Sequence, residues 1–307
     1  MSDLPSALSL REVGPRDGLQ NEDPVSTQAK VELIDGLSRT GLGRIEAVSF
    51  VHPRAVPQMA DAAQVWAAMD HLLGVRYSAL VPNLRGAERA LAAGVREIEV
   101  VVSASDTHNR RNVGRSTEES LRDIEDIVEL AHQHAASVQA IVATAWGCPY
   151  EGDLPLDRVL WVAGRALAAG ADTLSYGDTT GMATPGRVTR LVGQTRLAHP
   201  DVALNLHFHN TRGTALANVL AALELGVADF DASVGGLGGC PYAPGASGNV
   251  ATEELVHMVQ DMGVETGVDL EALLEVAAQA ERIVGRTLPS QVLRAGPRSR
   301  RAAGAVE

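Results

Sequence analysis

The sequence predicts an α/β fold: a single (β/α)8 TIM barrel with a C-terminal helical extension. Short β-rich runs alternate with longer amphipathic runs along the 307 residues, which is the pattern of repeated βα units. A barrel of this class takes roughly 250 residues, so the length accommodates one barrel and an extension. Four amphipathic runs end at or near a glycine that precedes the next strand, namely Gly41, Gly94, Gly170 and Gly226.

The β-rich runs supply the predicted strands of the barrel. In chain order they are Ser9–Val13, Arg44–Ser49, Arg76–Val81, Glu97–Val102, Val138–Ala143, Thr173–Tyr176, Ala203–His207 and Asp229–Ser233. This number of βα units favours a closed parallel barrel over an open doubly wound sheet.

The predicted helices follow the strands in the same order. They are Ser26–Arg39, Asp61–Leu72, Leu84–Ala93, Thr117–His134, Leu156–Ala169, Pro185–Ala198, Thr214–Leu225 and Val250–Gln260. The barrel is expected over about residues 8–262, and an extension over about 263–307 contains one more helix, Leu270–Val284, and a tail. Since no linker divides the chain, we expect a single domain over residues 1–307.

Composition excludes several classes of function. A net charge of −12 argues against nucleic acid or an anionic membrane as a partner. Neither a membrane-spanning run nor a signal peptide is evident, and two cysteines suit a reducing compartment, so a cytoplasmic location is expected. The single lysine, Lys30, lies in a predicted surface helix, which argues against Schiff-base chemistry and favours a metal as electron sink.

Unusual polar residues follow the predicted strands, where a TIM barrel carries its catalytic groups. They are Arg16 and Asp17 after strand one, Glu46 and Ser49 at strand two, Asn83 after strand three, Ser103 and Ser105 after strand four, Asp178 after strand six, His207 and His209 at strand seven, and Cys240 after strand eight. Packing explains any one of these positions but explains the whole series poorly.

An H-x-H pattern ends the seventh strand. His207 and His209 are two residues apart, so both imidazoles point to the same face and can reach one metal ion. Taken alone, the pattern also fits ordinary packing. Asp17 ends the first strand, two strands away in a closed barrel, and can add a carboxylate. Such N and O ligands suit a divalent cation such as Mg²⁺ or Mn²⁺ better than structural zinc.

Two loops add further groups. Gly14–Gln20 places Arg16 beside Asp17, either as a turn with a salt bridge or as a guanidinium that stabilises an oxyanion. Gly235–Asn249 is glycine-rich and carries Cys240, either as a flexible surface loop with an inert thiol or as a segment that folds over a ligand. His108 is expected to be solvated or structural.

Several motifs together resemble the hydroxymethylglutaryl-CoA lyases, within the wider group of metal-dependent barrel lyases and Claisen-type synthases. The resemblance runs from Leu10 to Arg282, and the motifs that carry it are Gly14–Glu22, Ile45–Phe50, Gly147–Gly152, Gly177–Gly181 and the glycine-rich loop through Glu253. Gln20 and the cysteine loop follow the lyase pattern. The synthases carry Glu at the position of Gln20 and a different loop.

The resemblance implies a chemistry and a set of residues. The reaction would be retro-Claisen cleavage of 3-hydroxy-3-methylglutaryl-CoA to acetyl-CoA and acetoacetate, as in leucine catabolism. The implied metal ligands are Asp17, His207, His209 and Asn249. The implied catalytic groups are Arg16 for the enolate, Cys240 for proton transfer, and Asp178 and Glu46 as supporting acid-base or positioning groups. Substrate-binding residues are expected to be Gln20, Ser49, Asn83 and Arg212. A homodimer with an acyl-CoA thioester as substrate is the implied assembly and partner.

Departures from the family pattern leave the acyl group open. Arg212 stands where the well-known lyases have tyrosine, and Asp23 stands where a CoA-binding lysine is common. The region Ser103–His108 also differs. A lyase for another branched 3-hydroxyacyl-CoA, such as citramalyl-CoA, is the alternative. A synthase and a non-catalytic CoA- or metal-binding protein are further alternatives.

Overall fold

A closed parallel barrel forms the body of the molecule. The computed structural model describes residues 4–239 and 248–300, and all elements named below lie in those ranges. The strands are β1 Ser9–Glu12, β2 Arg44–Ser49, β3 Arg76–Val81, β4 Glu97–Ser103, β5 Ser137–Ala143, β6 Thr173–Asp178, β7 Leu204–Phe208 and β8 Asp229–Ala232. Neighbouring strands pair in parallel in chain order, and β8 pairs with β1, so the described sheet closes. The predicted (β/α)8 TIM barrel is confirmed.

Helices connect the strands and continue after the last one. They are α1 Thr27–Ser38, α2 Ala62–Ala68, α3 Leu84–Ala92, α4 Asp106–Val113, α5 Thr117–Gln133, α6 Leu156–Ala168, α7 Pro185–Ala198, α8 Ala215–Leu223, α9 Thr252–Asp261, α10 Leu270–Val284 and α11 Gln291–Ala295. The helix α10 packs against α1 and α9, which fixes the extension to the barrel. Within the described ranges, no helix combines the length and the apolar character needed to cross a membrane.

The structure corrects three local expectations. Helix α2 ends at Ala68 instead of Leu72, since the chain turns extended at Met69 and the amide of Asp70 donates to the side chain of Asp35. The helices α4 and α11 were not predicted. Both begin at a serine cap, because the hydroxyls of Ser105 and Ser290 accept a hydrogen bond from the first helical turn.

Strand β7 shows how the sequence separates the two sides of the barrel wall. Leu204, Leu206 and Phe208 belong to the apolar core between the strands and the helices. Asn205, His207 and His209 alternate with them and line cavities inside the barrel. Because side chains alternate along a strand, an apolar outer face brings the polar residues to the barrel interior. The H-x-H pattern therefore faces the interior, as predicted.

Candidate active site

A cavity of about 760 Å³ opens at the carboxyl ends of the strands. The predicted site residues that line it are Arg16, Asp17, Gln20, Ser49, Asn83, His207 and His209. Glu46, Asp178, Arg212 and Asn249 lie around it without forming its described wall. The structure therefore gathers residues from β1, β2, β3 and β7 at one mouth, where barrel enzymes carry out their chemistry.

Asp17, His207 and His209 form a cluster at this mouth. One ligand atom from each residue lies within 4.8 Å of those of the other two. Asp17 reaches the cluster because Gly14–Gly18 forms a tight π-helical turn directly after β1. A Cβ on Gly14 would lie 2.7 Å from Glu12 Oε1, so the turn requires glycine at this position.

Asn249, the last residue of the glycine-rich loop, lies beside Asp17 and His209. Its backbone bridges to His209, and its Nδ2 donates to Asp17 Oδ2 at 2.8 Å. Asn249 Oδ1 and His209 Nδ1 are both buried and have no hydrogen-bond partner in the part of the chain described. Buried polar atoms without hydrogen-bond partners are costly unless a ligand satisfies them. The carboxylate, imidazole and amide groups therefore fit a divalent cation.

Arg16 lies between two carboxylates beside the cluster. Its Nη1 donates to Asp17 Oδ1 at 2.6 Å, and its Nη2 lies 2.6 Å from Glu46 Oε2. Its Nε is buried without a partner in the described chain. Burial alone would raise the pKa of the Asp17 carboxyl, but Arg16, with smaller contributions from His207 and His209, lowers it to about 2. Burial raises the pKa of Glu46 well above its ordinary value despite Arg16.

Asp178 ends β6 and is the third acidic group near the mouth. Its Oδ1 accepts from the backbone amides of Met182 and Ala183 at 2.7 and 3.1 Å, which fixes the carboxyl group. Its Oδ2 is buried and has no described hydrogen-bond partner. Burial raises the pKa of Asp178 to about 6 although the two amides oppose the shift. A carboxyl group that titrates near neutrality is suited to accept and return a proton.

The substrate-binding candidates differ in their surroundings. Ser49 Oγ is buried without a described partner, whereas Asn83 caps α3 by accepting from the amide of Gly86 at 3.0 Å. Gln20 Nε2 donates to Asp17 Oδ1 at 2.7 Å. Arg212 Nη1 donates to the carbonyls of Thr180 and Gly181, at 2.7 and 2.9 Å, and so holds the loop after β6. Its role toward the substrate stays a prediction.

Cys240 lies outside the described residues, but the two ends of its loop are described. Gly238 has φ +107°, and a Cβ there would lie 2.9 Å from Asn249 Nδ2. A Cβ on Gly248 would lie 2.9 Å from the carbonyl oxygen of Gly239. The described ends of the loop, Gly238–Gly239 and Gly248–Asn249, therefore lie against each other beside the metal-ligand candidates, and a Cβ on Gly238 or Gly248 would clash there.

His108 is a cavity residue that the sequence analysis assigned to solvent or structure. It is 2% exposed, its Nδ1 lies 2.5 Å from Ser103 Oγ, and it lines the cavity from α4. Burial lowers its pKa below the ordinary value. Ser105 was the residue in the sequence that could have predicted helix α4. It caps the start of this helix, because its hydroxyl accepts a hydrogen bond from the amide of His108.

The surface position expected for Lys30 is wrong. Lys30 is 5% exposed, and its Nζ lies 2.5 Å from Asp61 Oδ1. An ammonium group held by a carboxylate is a poor nucleophile, and Lys30 is absent from the described wall of the cavity. Lys30 is therefore unsuited to Schiff-base chemistry because of this ion pair and not because of a surface position.

Comparison with known proteins gives the family. The model of the HMGL-like family matches residues 7–279. The hydroxymethylglutaryl-CoA lyase YngG of Bacillus subtilis is 47% identical over 290 residues, which are 94% of this chain and 97% of that protein. The 3-hydroxy-3-isohexenylglutaryl-CoA/hydroxymethylglutaryl-CoA lyase of Pseudomonas aeruginosa is 43% identical over 293 residues, 95% of this chain and 98% of that protein.

A solved structure of a further hydroxymethylglutaryl-CoA lyase is also similar to this chain. An HMG-CoA lyase from Acinetobacter baumannii, in complex with coenzyme A and 3-methylmalate, superposes with a TM-score of 0.93 at 42% identity and covers 99% of each chain. The chain therefore belongs to the HMGL-like family, as a carbon–carbon lyase of the hydroxymethylglutaryl-CoA lyase type, which confirms the resemblance predicted from its motifs.

Proposed function

We propose that this lyase cleaves 3-hydroxy-3-methylglutaryl-CoA to acetyl-CoA and acetoacetate with the help of a divalent cation. The observation that carries the proposal is the cluster of Asp17, His207 and His209, with the Arg16 guanidinium beside it at the cavity mouth. Cleavage of a 3-hydroxy thioester needs a base for the hydroxyl, a group that stabilises the enolate, and an acid that protonates it. The mouth offers groups suited to these tasks.

The cation would be held by Asp17, His207, His209 and Asn249, whose oxygen and nitrogen donors suit Mg²⁺ or Mn²⁺. When bound, it supplies Lewis-acid polarisation of substrate oxygens. The unpartnered Asn249 Oδ1 and His209 Nδ1 support this ligand set.

The residues around the metal site have separate roles. Arg16, whose side chain lines the cavity and whose Nε has no described partner, stabilises negative charge on the enolate oxygen. Glu46 holds Arg16 from behind, so the guanidinium keeps its orientation when the substrate arrives. Asp178 accepts the hydroxyl proton, and Cys240 returns a proton to the acetyl group. Gln20, Ser49 and Asn83 bind the acyl end of the substrate.

A thioester panel tests the proposal. Purified protein would be incubated with hydroxymethylglutaryl-CoA and with related 3-hydroxyacyl-CoA thioesters, with and without Mg²⁺ or Mn²⁺, and acetyl-CoA would be measured. We expect metal-dependent release of acetyl-CoA, with the highest kcat/KM for hydroxymethylglutaryl-CoA. No release from any thioester, or equal release after removal of metal by a chelator, would contradict the proposal.

A larger acyl group is the second candidate, because many of the residues that line the cavity are apolar. The apolar residues of the lining include Val51, Val56, Met59, Val81, Val101 and Val113. The Pseudomonas relative, whose name includes an isohexenylglutaryl thioester, and the departures at Asp23 and Arg212 support this alternative. A kcat/KM for an isohexenylglutaryl-CoA above that for hydroxymethylglutaryl-CoA in the same panel would select it.

The proposal also covers the domain organisation, the cellular location and the assembly of the enzyme. We expect a single-domain protein that acts in the cytoplasm as a homodimer on an acyl-CoA thioester. Sedimentation of the purified chain tests the dimer, and a mass of one chain would exclude it.

A further inference from the structure

We propose that Arg11 and Asp231 are positioning residues that fix the imidazole of His207 and thereby set the metal affinity of the site. The inference rests on the metal site in the proposed function. Neither Arg11 nor Asp231 belongs to the residues predicted from the motifs; Asp231 lines the cavity beside His207, and Arg11 is absent from its described wall.

The three side chains lie in one layer across adjacent strands. Asp231 of β8 is in register with Arg11 of β1 on one side and with His207 of β7 on the other. In-register residues on neighbouring strands point to the same side of the sheet, here the barrel interior. The register therefore places the carboxylate of Asp231 between the guanidinium of Arg11 and the imidazole of His207.

The carboxylate of Asp231 accepts hydrogen bonds on both oxygens. Its Oδ1 accepts from Arg11 Nε at 2.8 Å and from Asn205 Nδ2 at 2.9 Å. Its Oδ2 accepts from Arg11 Nη2 at 2.7 Å and lies 3.1 Å from His207 Nδ1. The paired bonds from Arg11 are the planar fork that holds a carboxylate in one orientation.

This arrangement decides which nitrogen of His207 faces the metal. Because Asp231 is an acceptor at both oxygens, His207 Nδ1 must carry the hydrogen and donate it to Oδ2. Its Nε2 is then left with a lone pair for the cation. A carboxylate behind a ligating imidazole also makes that ligand more basic and limits rotation of the ring.

Arg11 is itself held from its far side. Its Nη1 donates to Gln139 Oε1 at 2.6 Å and contacts Glu99, and the guanidinium is 2% exposed. A buried network of charges contributes little to stability compared with apolar packing of equal volume. We therefore assign this network the role of orienting His207, because a contribution to stability does not account for it.

The first test compares metal binding in two variants that alter the same carboxylate. Asp231→Asn removes the negative charge and leaves one acceptor oxygen for the donors of Arg11, Asn205 and His207, whereas Asn205→Ala removes the donor to Asp231 Oδ1 and to Ser175 Oγ and leaves the His207 contact in place. Mn²⁺ dissociation constants would be measured by electron paramagnetic resonance for wild-type protein and both variants, with Tm as the folding control. We expect about 10–100-fold weaker binding for Asp231→Asn, as for loss of other groups that support metal ligands. We expect unchanged binding for Asn205→Ala. Wild-type affinity in a folded Asp231→Asn protein would overturn the inference.

The second test needs no variant and therefore does not depend on folding of one. Histidine-selective ¹⁵N labelling of the metal-free wild-type protein would report the tautomer of His207 at about pH 8, where an ordinary imidazole is neutral. We expect hydrogen on Nδ1, and hydrogen on Nε2 would overturn the inference. Asp231-dependent Mn²⁺ binding supports the inference even in a protein that releases no acetyl-CoA, in which case the proposed function alone fails.

Discussion

Two buried arginines near the start of the chain stand in the same electrostatic setting and have different hydrogen bonding. Arg11, inside the barrel, lies between Asp231 and Glu99, and its Nε, Nη1 and Nη2 each have an acceptor. Arg16, at the mouth, lies between Asp17 and Glu46, but its Nε has no described partner and its side chain lines the cavity. Charge pairing alone therefore does not identify a catalytic arginine. Arg16 differs from Arg11 in that it lines the active-site cavity and keeps one N–H unpaired, and the proposed catalytic role rests on both features.

The largest expected effect is the loss of Arg16. In Arg16→Gln the enolate oxygen loses a charged donor, and removal of one such donor typically lowers kcat by about 10²–10³-fold. The comparison predicts this loss at saturating metal and substrate. Steady-state kinetics on hydroxymethylglutaryl-CoA would measure it, and a kcat within tenfold of the wild-type value would mean that Arg16 is only a structural partner of Asp17.

The next-largest expected effect distinguishes Asp17, a proposed metal ligand, from Asp178, a proposed proton acceptor. Asp17→Ala removes a metal ligand, so Mn²⁺ affinity should fall more than the about 10–100-fold expected for a supporting group. Asp178→Asn is the matched control, because Asp178 lies outside the cluster of Asp17, His207 and His209. It should lower turnover and leave Mn²⁺ affinity unchanged. Equal metal content in Asp17→Ala and wild-type protein, measured by elemental analysis, would refute this ligand assignment.

The smallest effect concerns Glu12, an acid that lies between the two arginines in sequence and pairs with neither. Its carboxylate accepts from the amides of Gly14 and Val234, at 2.7 and 2.8 Å, and from Thr252 Oγ1 at 2.6 Å. It therefore joins the loop after β1 to the loop after β8. Burial raises its pKa to about 7, and burial does the same for Glu253, which accepts from the amide of Gly235.

The raised pKa of Glu12 makes stability depend on pH. The folded state binds more protons than the unfolded state between the ordinary pKa of 4.5 and about 7, so stability falls as pH rises through this window. The contribution is at most about 3 kcal/mol for one such group. Glu12→Gln keeps the shape and should flatten this part of the pH profile.

Urea unfolding at several pH values across the window would measure the effect. Glu97→Gln serves as the control, because Glu97 is partly exposed and pairs with Arg76 at the other end of the barrel. A wild-type free energy of unfolding that rises from acid to neutral pH would show that a histidine with a lowered pKa dominates in this range, such as His209, whose pKa burial lowers to about 3. The same slope in Glu12→Gln as in wild-type protein would exclude Glu12 as its source.

The sequence predicted the mouth of the barrel better than its interior, for a physical reason. His207 and His209 share a face because alternation along one strand is a local property, and Asp17 follows from the position of a strand end. Arg11 and Asp231 were missed because their contact depends on the register between the first and the last strand, which closes only in the folded barrel. His108 was missed because its burial depends on contacts between α4 and the barrel.

We expect Asp17, His207, His209 and Asn249 to hold a divalent cation beside Arg16. Anomalous diffraction from crystals grown with Mn²⁺ tests it most directly, because the signal locates the metal independently of activity. We predict one strong peak coordinated by these four side chains, within reach of an oxygen ligand that also contacts Arg16. The absence of a peak at this cluster, with Mn²⁺ at saturating concentration, would contradict the account.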